Sequence, residues 1–245
     1  MKNTAIIIPT RLAARRFPNK PLAKINNIPM IIHVLNRATE SNVGQVYVAS
    51  PDISIVEIVK KNGGKAILTK EDHSSGSDRV YEAYINNLKN EVDLIINLQG
   101  DMPNIKPEAI QQLVKLMKSG NWDMGTLASP IKNENEINDK NIVKVKVDKN
   151  LEKNTLLNAI DFFRTRKNLI NDKIYHHIGI YAFTSVAITK YVKLPRSKLE
   201  LERNLEQMRA LENDIKIGVC LSDSAALSVD TEEDLEKVKA NMSTL

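Results

Sequence analysis

The run Ala5-Ile6-Ile7-Ile8, closed by Pro9, constrains this chain more than any other stretch. A continuous apolar segment of strand length has no polar face to offer water, so both of its faces must be covered. That is the pattern of an interior strand in a sheet with helices on both sides. It then recurs: Gln45-Val46-Tyr47-Val48-Ala49-Ser50, Ala66-Ile67-Leu68 and Asp93-Leu94-Ile95-Ile96-Asn97-Leu98 read as further strands. Between them, the spacing predicts a helix over 29–38 with proline in its first turn, a second over 53–61 ending at Asn62-Gly63-Gly64, and a third over 78–88. Such alternation predicts an α/β fold with a mostly parallel sheet flanked by helices.

The second half is less regular. Asn141-Ile142-Val143-Lys144-Val145-Lys146-Val147 alternates at period two, as a half-exposed strand would. His177 to Phe183 reads as another strand, 198–212 as one helix with apolar Leu201, Leu205, Met208 and Leu211, and 231–242 as a closing helix capped by Asp230 or Thr231. No repeat or linker calls for a second independent domain. The expectation is one domain over 1–245, with an excursion over roughly residues 130–200.

Composition narrows the function classes. Cys220 is the sole cysteine, which excludes an intrachain disulfide and suits a reducing, cytoplasmic compartment. The apolar run at the N-terminus is too short for the core of a signal peptide, and no stretch approaches the length of a membrane span. The formal charge of +5 is spread as lysine on helix surfaces, with no basic stripe interleaved with aromatics, so nucleic acid is not the expected partner.

Several segments carry candidate chemistry. Pro9-Thr10-Arg11-Leu12-Ala13-Ala14-Arg15-Arg16-Phe17-Pro18-Asn19-Lys20-Pro21 follows a buried strand directly, so it lies at the sheet edge where open α/β sheets bind ligands. Its clustered cations repel one another and gain from a bound polyanion, although charge alone also fits a solvated basic loop. No Gly-x-x-x-x-Gly-Lys is present, so it is not a P-loop. Gln99-Gly100-Asp101-Met102-Pro103 ends another apolar strand; it reads as a turn, or as an aspartate holding a magnesium-nucleotide beside a glycine that admits close approach. Val229-Asp230-Thr231 opens the last helix, and spacing alone does not say that Asp230 meets Asp101. His73-Ser74-Ser75-Gly76-Ser77-Asp78-Arg79 opens a helix and serves either as its cap or as a base or ribose contact.

Taken together, Ile8 to Leu22, Pro29-Met30-Ile31, His73 to Arg79, Gln99 to Pro103, His177-x-Gly179-Ile180-Tyr181, Leu205-Glu206-Gln207-Met208-Arg209 and Val229 to Leu235 resemble one family over nearly the whole chain. That family is the cytidylyltransferases that make CMP-3-deoxy-manno-octulosonate. Each motif is weak alone, and their order and spacing are specific. The resemblance implies a Rossmann-like, GT-A-like nucleotidyltransferase fold with a dimerisation region in the second half, and hence a homodimer. It implies transfer of CMP from CTP to the anomeric hydroxyl of the octulosonate for lipopolysaccharide synthesis, with magnesium as cofactor. Arg11, Arg16 and Lys20 would hold the triphosphate, with Ser75, Arg79 and Gln99 around the nucleotide. Asp101 and Asp230 would share the metal, and Lys20, Arg16 and both aspartates would carry catalysis. Arg164, His177, Tyr181, Glu206 and Gln207 would face the sugar.

The chain departs from the family pattern at Thr10, Ala14 and Asn19 in the basic loop, at Met102, which is not taken as a metal ligand, and at Arg203, where an acidic residue is usual. The segment Phe163-Arg164-Thr165-Arg166-Lys167 is also looser than the usual Ser-Arg-x-x-Ile-Pro. These departures bear on the sugar more than on the reaction. The competing readings are a cytidylyltransferase for sialic acid or an amino analogue of the octulosonate, and a non-catalytic nucleotide-binding protein.

Overall fold

Strand β1 (Thr4–Pro9) forms from the first apolar run, and every one of its residues is buried. The computed structural model describes residues 3–13, 16–165, 172–223 and 227–242. The chain divides into two units, Met1–Gln111 with Ala226–Leu245, and Gln112–Ala225.

In chain order the first unit continues with a 3-10 turn (Lys20–Leu22), the short strands β2 (Lys24–Ile25) and β3 (Ile28–Pro29), α1 (Met30–Glu40), β4 (Gln45–Ser50), α2 (Ile53–Lys61), β5 (Lys65–Leu68), α3 (Gly76–Asn87) and β6 (Leu94–Asn97). Helix α4 (Pro107–Ser119) follows. β1 pairs in parallel with β4 on one side and β6 on the other, and β5 lies outside β4. The parallel sheet expected from the apolar runs is present here, and it delivers the basic loop after Pro9, the acidic turn after Asn97 and Asp52 to the C-terminal ends of neighbouring strands.

Two local devices set the site. Asn26 and Asn27 both adopt left-handed backbone (φ 49° and 66°), which asparagine tolerates better than most residues, and so close the β2–β3 hairpin leading into α1. The last helix, α9 (Glu232–Met242), packs Leu235 and Val238, together with Val229 just before it, against Ile25 and Met30, with Phe17 and Met242 at the margin. Burying these apolar groups pulls the segment before α9 onto the basic loop, which sequence spacing could not reveal.

The second unit comprises β7 (Met124–Ser129), α5 (Glu134–Asn138), β8 (Lys144–Val147), β9 (Leu156–Phe163), β10 (Lys173–Thr184), α6 (Ser185–Tyr191), α7 (Lys198–Arg203), α8 (Gln207–Leu211) and β11 (Ile217–Leu221). β7 pairs in parallel with β11, whereas β10–β7, β11–β9, β8–β9 and β10–β8 are antiparallel. The sheet of this unit is therefore mixed. Gly125 and Gly218 stand opposite each other in the β7–β11 register. A Cβ on Gly125 would come within 2.6 Å of Met117 Sδ, and one on Gly218 within 2.9 Å of the Trp122 ring, so neither strand has room for a side chain there.

Two expectations are corrected. Residues 198–212 do not form one helix: Asn204 takes left-handed backbone (φ 52°, ψ 49°) and separates α7 from α8, leaving Leu201 exposed. What fixes the break is charge rather than apolar spacing. Glu200 and Arg209 are both buried and meet through two hydrogen bonds, Nε to Oε2 at 2.8 Å and Nη2 to Oε1 at 2.7 Å, while Arg196 and the Ser197 N–H also donate to Glu200. Burial alone would raise the Glu200 pKa; hydrogen bonds from Arg209 and Arg196 outweigh it and leave the group below its ordinary value. The second correction concerns β8. Its alternation does not put the lysines outward, because Lys144 is fully buried and donates to the carbonyls of Asp139, Ile142 and Arg164.

Removing one partner of a buried ion pair strands the other. Glu200→Ala is expected to lower unfolding free energy by about 3–5 kcal/mol. A volume-matched Glu200→Leu/Arg209→Met pair should recover most of it. Urea unfolding checks both, and a cost below about 1 kcal/mol for the single change, the size of an exposed pair, would contradict the buried-pair reading.

Candidate active site

In the first unit, the basic loop, the acidic turn and the start of α9 meet at one nitrogen. Lys20 Nζ donates to Asp101 Oδ2 at 2.8 Å, to the Val229 carbonyl at 2.7 Å and to Asp230 Oδ1 at 3.4 Å. Arg16 Nη2 reaches the other oxygen of Asp230 at 3.0 Å. The Val229 N–H donates to the Asp101 carbonyl at 2.9 Å, so the two acidic segments are also joined through the main chain. Asp101 and Asp230, far apart along the chain, thus converge.

Asp230 is available for this because it does not cap its helix. Thr231 and Asp234 do so reciprocally: Thr231 Oγ1 accepts the Asp234 N–H at 3.2 Å, and Asp234 Oδ2 accepts the Thr231 N–H at 3.0 Å. Of the two N-cap candidates, Thr231 has the role. Lys20 is aimed by the turn before it, where Asn19 takes left-handed backbone (φ 57°) and its N–H closes on the Leu12 carbonyl at 3.1 Å. The departure at Asn19 is accommodated, since asparagine tolerates left-handed backbone.

A cavity of about 740 Å³ opens beside this cluster, lined by Pro9, Thr10, Arg11, Ala13, Lys20, Pro21, Gln99, Gly100 and Asp101. That volume lies in the usual range for a small-molecule site. Gly100 matters here, since a Cβ would lie 3.1 Å from the Pro9 carbonyl oxygen and from Thr10 Cβ where the two loops touch. Gln99 donates to Asn97, which in turn donates to Ser77 at the start of α3. Ser75 caps α3 by accepting the Asp78 N–H at 3.2 Å. Arg79 is buried, and its guanidinium donates to Thr69 Oγ1 and to the carbonyls of Lys70 and Glu71, bracing the segment before α3. Burial, and then the Arg11 charge, lowers its pKa. Met102 is buried. Ala14, Arg15, Arg166 and Lys167 lie outside the described residues.

The donor set suits a small hard cation. Two carboxylates and a carbonyl are oxygen ligands of the type magnesium takes, and an ammonium already occupies the point between them. Among the described residues no group of three or more His, Cys, Asp and Glu side chains could hold a metal, so any ion here would be held by few protein ligands.

The remaining candidates lie in the second unit. Arg164 Nη1 donates to the carbonyls of Lys140 and Asn141, and its own carbonyl accepts from Lys144. His177 is buried against Phe162 and Tyr181, with ring centroids at 4.9 and 5.7 Å, and Nε2 lies 3.0 Å from Thr126 Oγ1. Burial, helped by His176, pushes its pKa down to about 3, so the ring is neutral at working pH. Burial, and then Glu206, raises the Tyr181 pKa well above the ordinary value. Gln207 is buried at the start of α8, and the Glu206 carbonyl accepts the Tyr191 hydroxyl. A second cavity, about 470 Å³, is lined by Asp161, Phe163, Arg164, Thr165, Glu202 and Arg203. Of the five sugar-facing candidates, Arg164 lines it.

That cavity also contains a pair the sequence reading missed. Arg203 is ion-paired with Asp161 and donates to the Phe162 carbonyl at 2.7 Å. The departure at Arg203 was a usable signal, since a cation in an acidic position calls for a compensating carboxylate nearby. Nothing in the alternation of 141–147 distinguishes buried Lys144 from half-buried Lys146.

Comparison with known proteins bears on this arrangement. The family model described as cytidylyltransferase matches residues 5–217. The 3-deoxy-manno-octulosonate cytidylyltransferase of Rhodopseudomonas palustris (strain BisB5) is 42% identical over 238 residues, 96% of each chain. That of Brucella anthropi is 41% identical over 96% of this chain and 95% of its own. The chain belongs to the 3-deoxy-manno-octulosonate cytidylyltransferase family. A solved structure of CMP:2-keto-3-deoxy-manno-octonic acid synthetase complexed with CTP superposes with a TM-score of 0.89 at 35% identity, over 99% of both chains. The α/β nucleotidyltransferase fold follows. Among the described residues no helix is long and apolar enough to cross a membrane.

The buried neutral His177 has a consequence for stability. Its folded pKa, about 3, lies below the ordinary value of 6.5 for an unfolded chain, so the unfolded state binds the proton first on acidification. Its contribution is therefore complete above pH 6.5 and is lost as the pH falls from there towards 3. In urea unfolding, replacing His177 with Asn should flatten the fall in stability below that point by about 1.4 kcal/mol per pH unit. An unchanged slope in the variant would contradict the buried neutral ring.

Proposed function

We propose that this chain transfers CMP from CTP to the anomeric hydroxyl of 3-deoxy-manno-octulosonate, releasing pyrophosphate. The observation that carries the proposal is the convergence of Asp101 and Asp230 on Lys20 beside a cavity lined by Arg11 and Gln99. Family membership and the likeness to a synthetase solved with CTP support it.

In the transfer, the acceptor oxygen bonds to the α-phosphorus while the bond from that phosphorus to the β-bridging oxygen breaks. Pyrophosphate leaves with the electron pair, and the hydroxyl proton passes to solvent. Chemistry of this kind depends on positioning and on charge neutralisation more than on covalent help. Arg11, Arg16 and Lys20 neutralise the triphosphate, with arginine forks matching pairs of phosphate oxygens. Gly100 lets the acidic turn close on Pro9 and Thr10 at the cavity wall. Ser75, Gln99 and Arg79 hold the α3 end of the cavity, Arg79 by bracing residues 69–71. Asp101 and Asp230 would hold magnesium, which supplies charge to the phosphates and lowers the pKa of the attacking hydroxyl. Lys20 is then free to turn to a phosphate oxygen. Arg164, His177, Tyr181, Glu206 and Gln207 serve the sugar acid, Arg164 as partner of its anionic oxygens and His177 as a neutral hydrogen-bonding ring. A homodimer, a cytoplasmic location and a role in lipopolysaccharide synthesis belong to the same proposal.

One observation favours a second reading, the same transfer onto another acidic sugar. The Arg203–Asp161 pair lines the cavity that contains Arg164 and changes its charge pattern from the family's usual one.

The test is pyrophosphate release with CTP, magnesium and a panel of sugar acids, the sugar omitted as control. Release that depends on the octulosonate is expected; preference for sialic acid or an amino analogue would overturn the choice of sugar. Asp101→Asn and Asp230→Asn should each lower kcat by about a hundredfold with folding intact, and Lys20→Ala should cost about 2–4 kcal/mol in kcat/KM for CTP. Near-normal turnover in either aspartate variant at limiting magnesium would remove the metal assignment.

A further inference from the structure

Asp52 stands at the N-cap position of α2 but does not cap it. Its carboxylate makes no hydrogen bond to the first turn, although its main-chain oxygen accepts the N–H groups of Ile55 and Val56 at 3.1 and 3.2 Å. An aspartate at this position ordinarily stabilises its helix by about 1 kcal/mol through that side-chain bond. Here the carboxylate turns away instead, and Oδ2 accepts the Leu12 N–H at 2.8 Å across 40 residues of sequence. Ser50 steadies it, its hydroxyl lying 3.4 Å from the same oxygen and accepting the Asp52 N–H at 3.2 Å.

Leu12 is the point at which the basic loop can be held. Its N–H is bound by Asp52 and its carbonyl by the Asn19 N–H, so both polar groups of one residue are fixed. The preceding turn is tied to the same edge, with the Thr10 N–H donating to the Ala49 carbonyl at 3.0 Å. Arg11 lies between these two ties, and Lys20 follows Asn19 directly. Asp52 does not line the cavity, and a carboxylate beside a triphosphate would repel it, so direct contact with the nucleotide is not its role.

We infer that Asp52 is a positioning residue for the nucleotide reaction: by holding the Leu12 N–H it fixes the loop in the form that presents Arg11 and Lys20 to the triphosphate. The inference rests on the reading of that loop as the triphosphate site. A preformed cradle avoids the ordering cost of a mobile one.

The experiment compares Asp52→Ala, Asp52→Asn and Ser50→Ala in steady-state kinetics for both substrates, with direct CTP binding in the absence of sugar and a melting curve for each variant. Asp52→Ala should raise KM and Kd for CTP about tenfold, the worth of one charge-assisted hydrogen bond, with KM for the sugar within about twofold of wild type. Asp52→Asn keeps an acceptor oxygen for the Leu12 N–H and should restore most of the loss. Ser50→Ala should move CTP in the same direction by less, and it remains informative if Asp52→Ala does not fold. An unchanged KM for CTP in Asp52→Ala, or proportional losses for both substrates, would overturn the inference. So would tighter CTP binding in both Asp52 variants, the result expected if the carboxylate acted through its charge alone. Failure of the wild-type protein to bind CTP or release pyrophosphate would instead strike the reading of the site.

Discussion

One ammonium group held between two carboxylates is the constraint on which the first unit depends. Asp101 and Asp230 bear like charges and would repel if brought together alone; Lys20, shared between them and the Val229 carbonyl, makes their convergence favourable. Every neighbouring feature serves that junction. The parallel strands end two of its segments at one edge. The apolar contacts of α9 with Ile25 and Met30 bring in the third, and the Thr231–Asp234 cap leaves Asp230 to face the loop. On the proposed reading, a divalent cation would satisfy the same oxygens and leave the ammonium to an anionic ligand.

The two units use charge differently. In the first, Arg11, Lys20 and Asp101 line a cavity, with exposed Arg16 and half-exposed Asp230 in contact with solvent. In the second, a few charges are buried and satisfied: Glu200 by Arg209, and Lys144 by three main-chain carbonyls. Burying charge in this way is costly unless every donor and acceptor is matched. The matched groups tie α7 to α8, and the 139–142 segment to Arg164 through Lys144.

The sequence revealed the first unit more fully than the second for a physical reason. Strands β1, β4 and β6 are buried runs whose apolar character is local, and the glycine, proline and cation signals that follow them are local too. The break at Asn204, the burial of Lys144 and the Asp161–Arg203 pair depend on partners distant along the chain, which periodicity does not encode. The meeting of Asp101 with Asp230 was invisible to spacing in the same way; only the order of motifs suggested it. Ser75 and Arg79 show the converse, since residues read as nucleotide contacts also cap a helix and brace a loop.

The most direct test of joint action by Asp101 and Asp230 is a manganese titration followed by electron paramagnetic resonance, with a non-hydrolysable CTP analogue present. The wild-type protein, the two single Asn variants and the double variant form one cycle. The account predicts that each single change weakens manganese binding sharply and that the double change weakens it scarcely further, since either loss dismantles one shared site. Losses that add independently, or a single variant that binds manganese as the wild type does, would contradict it.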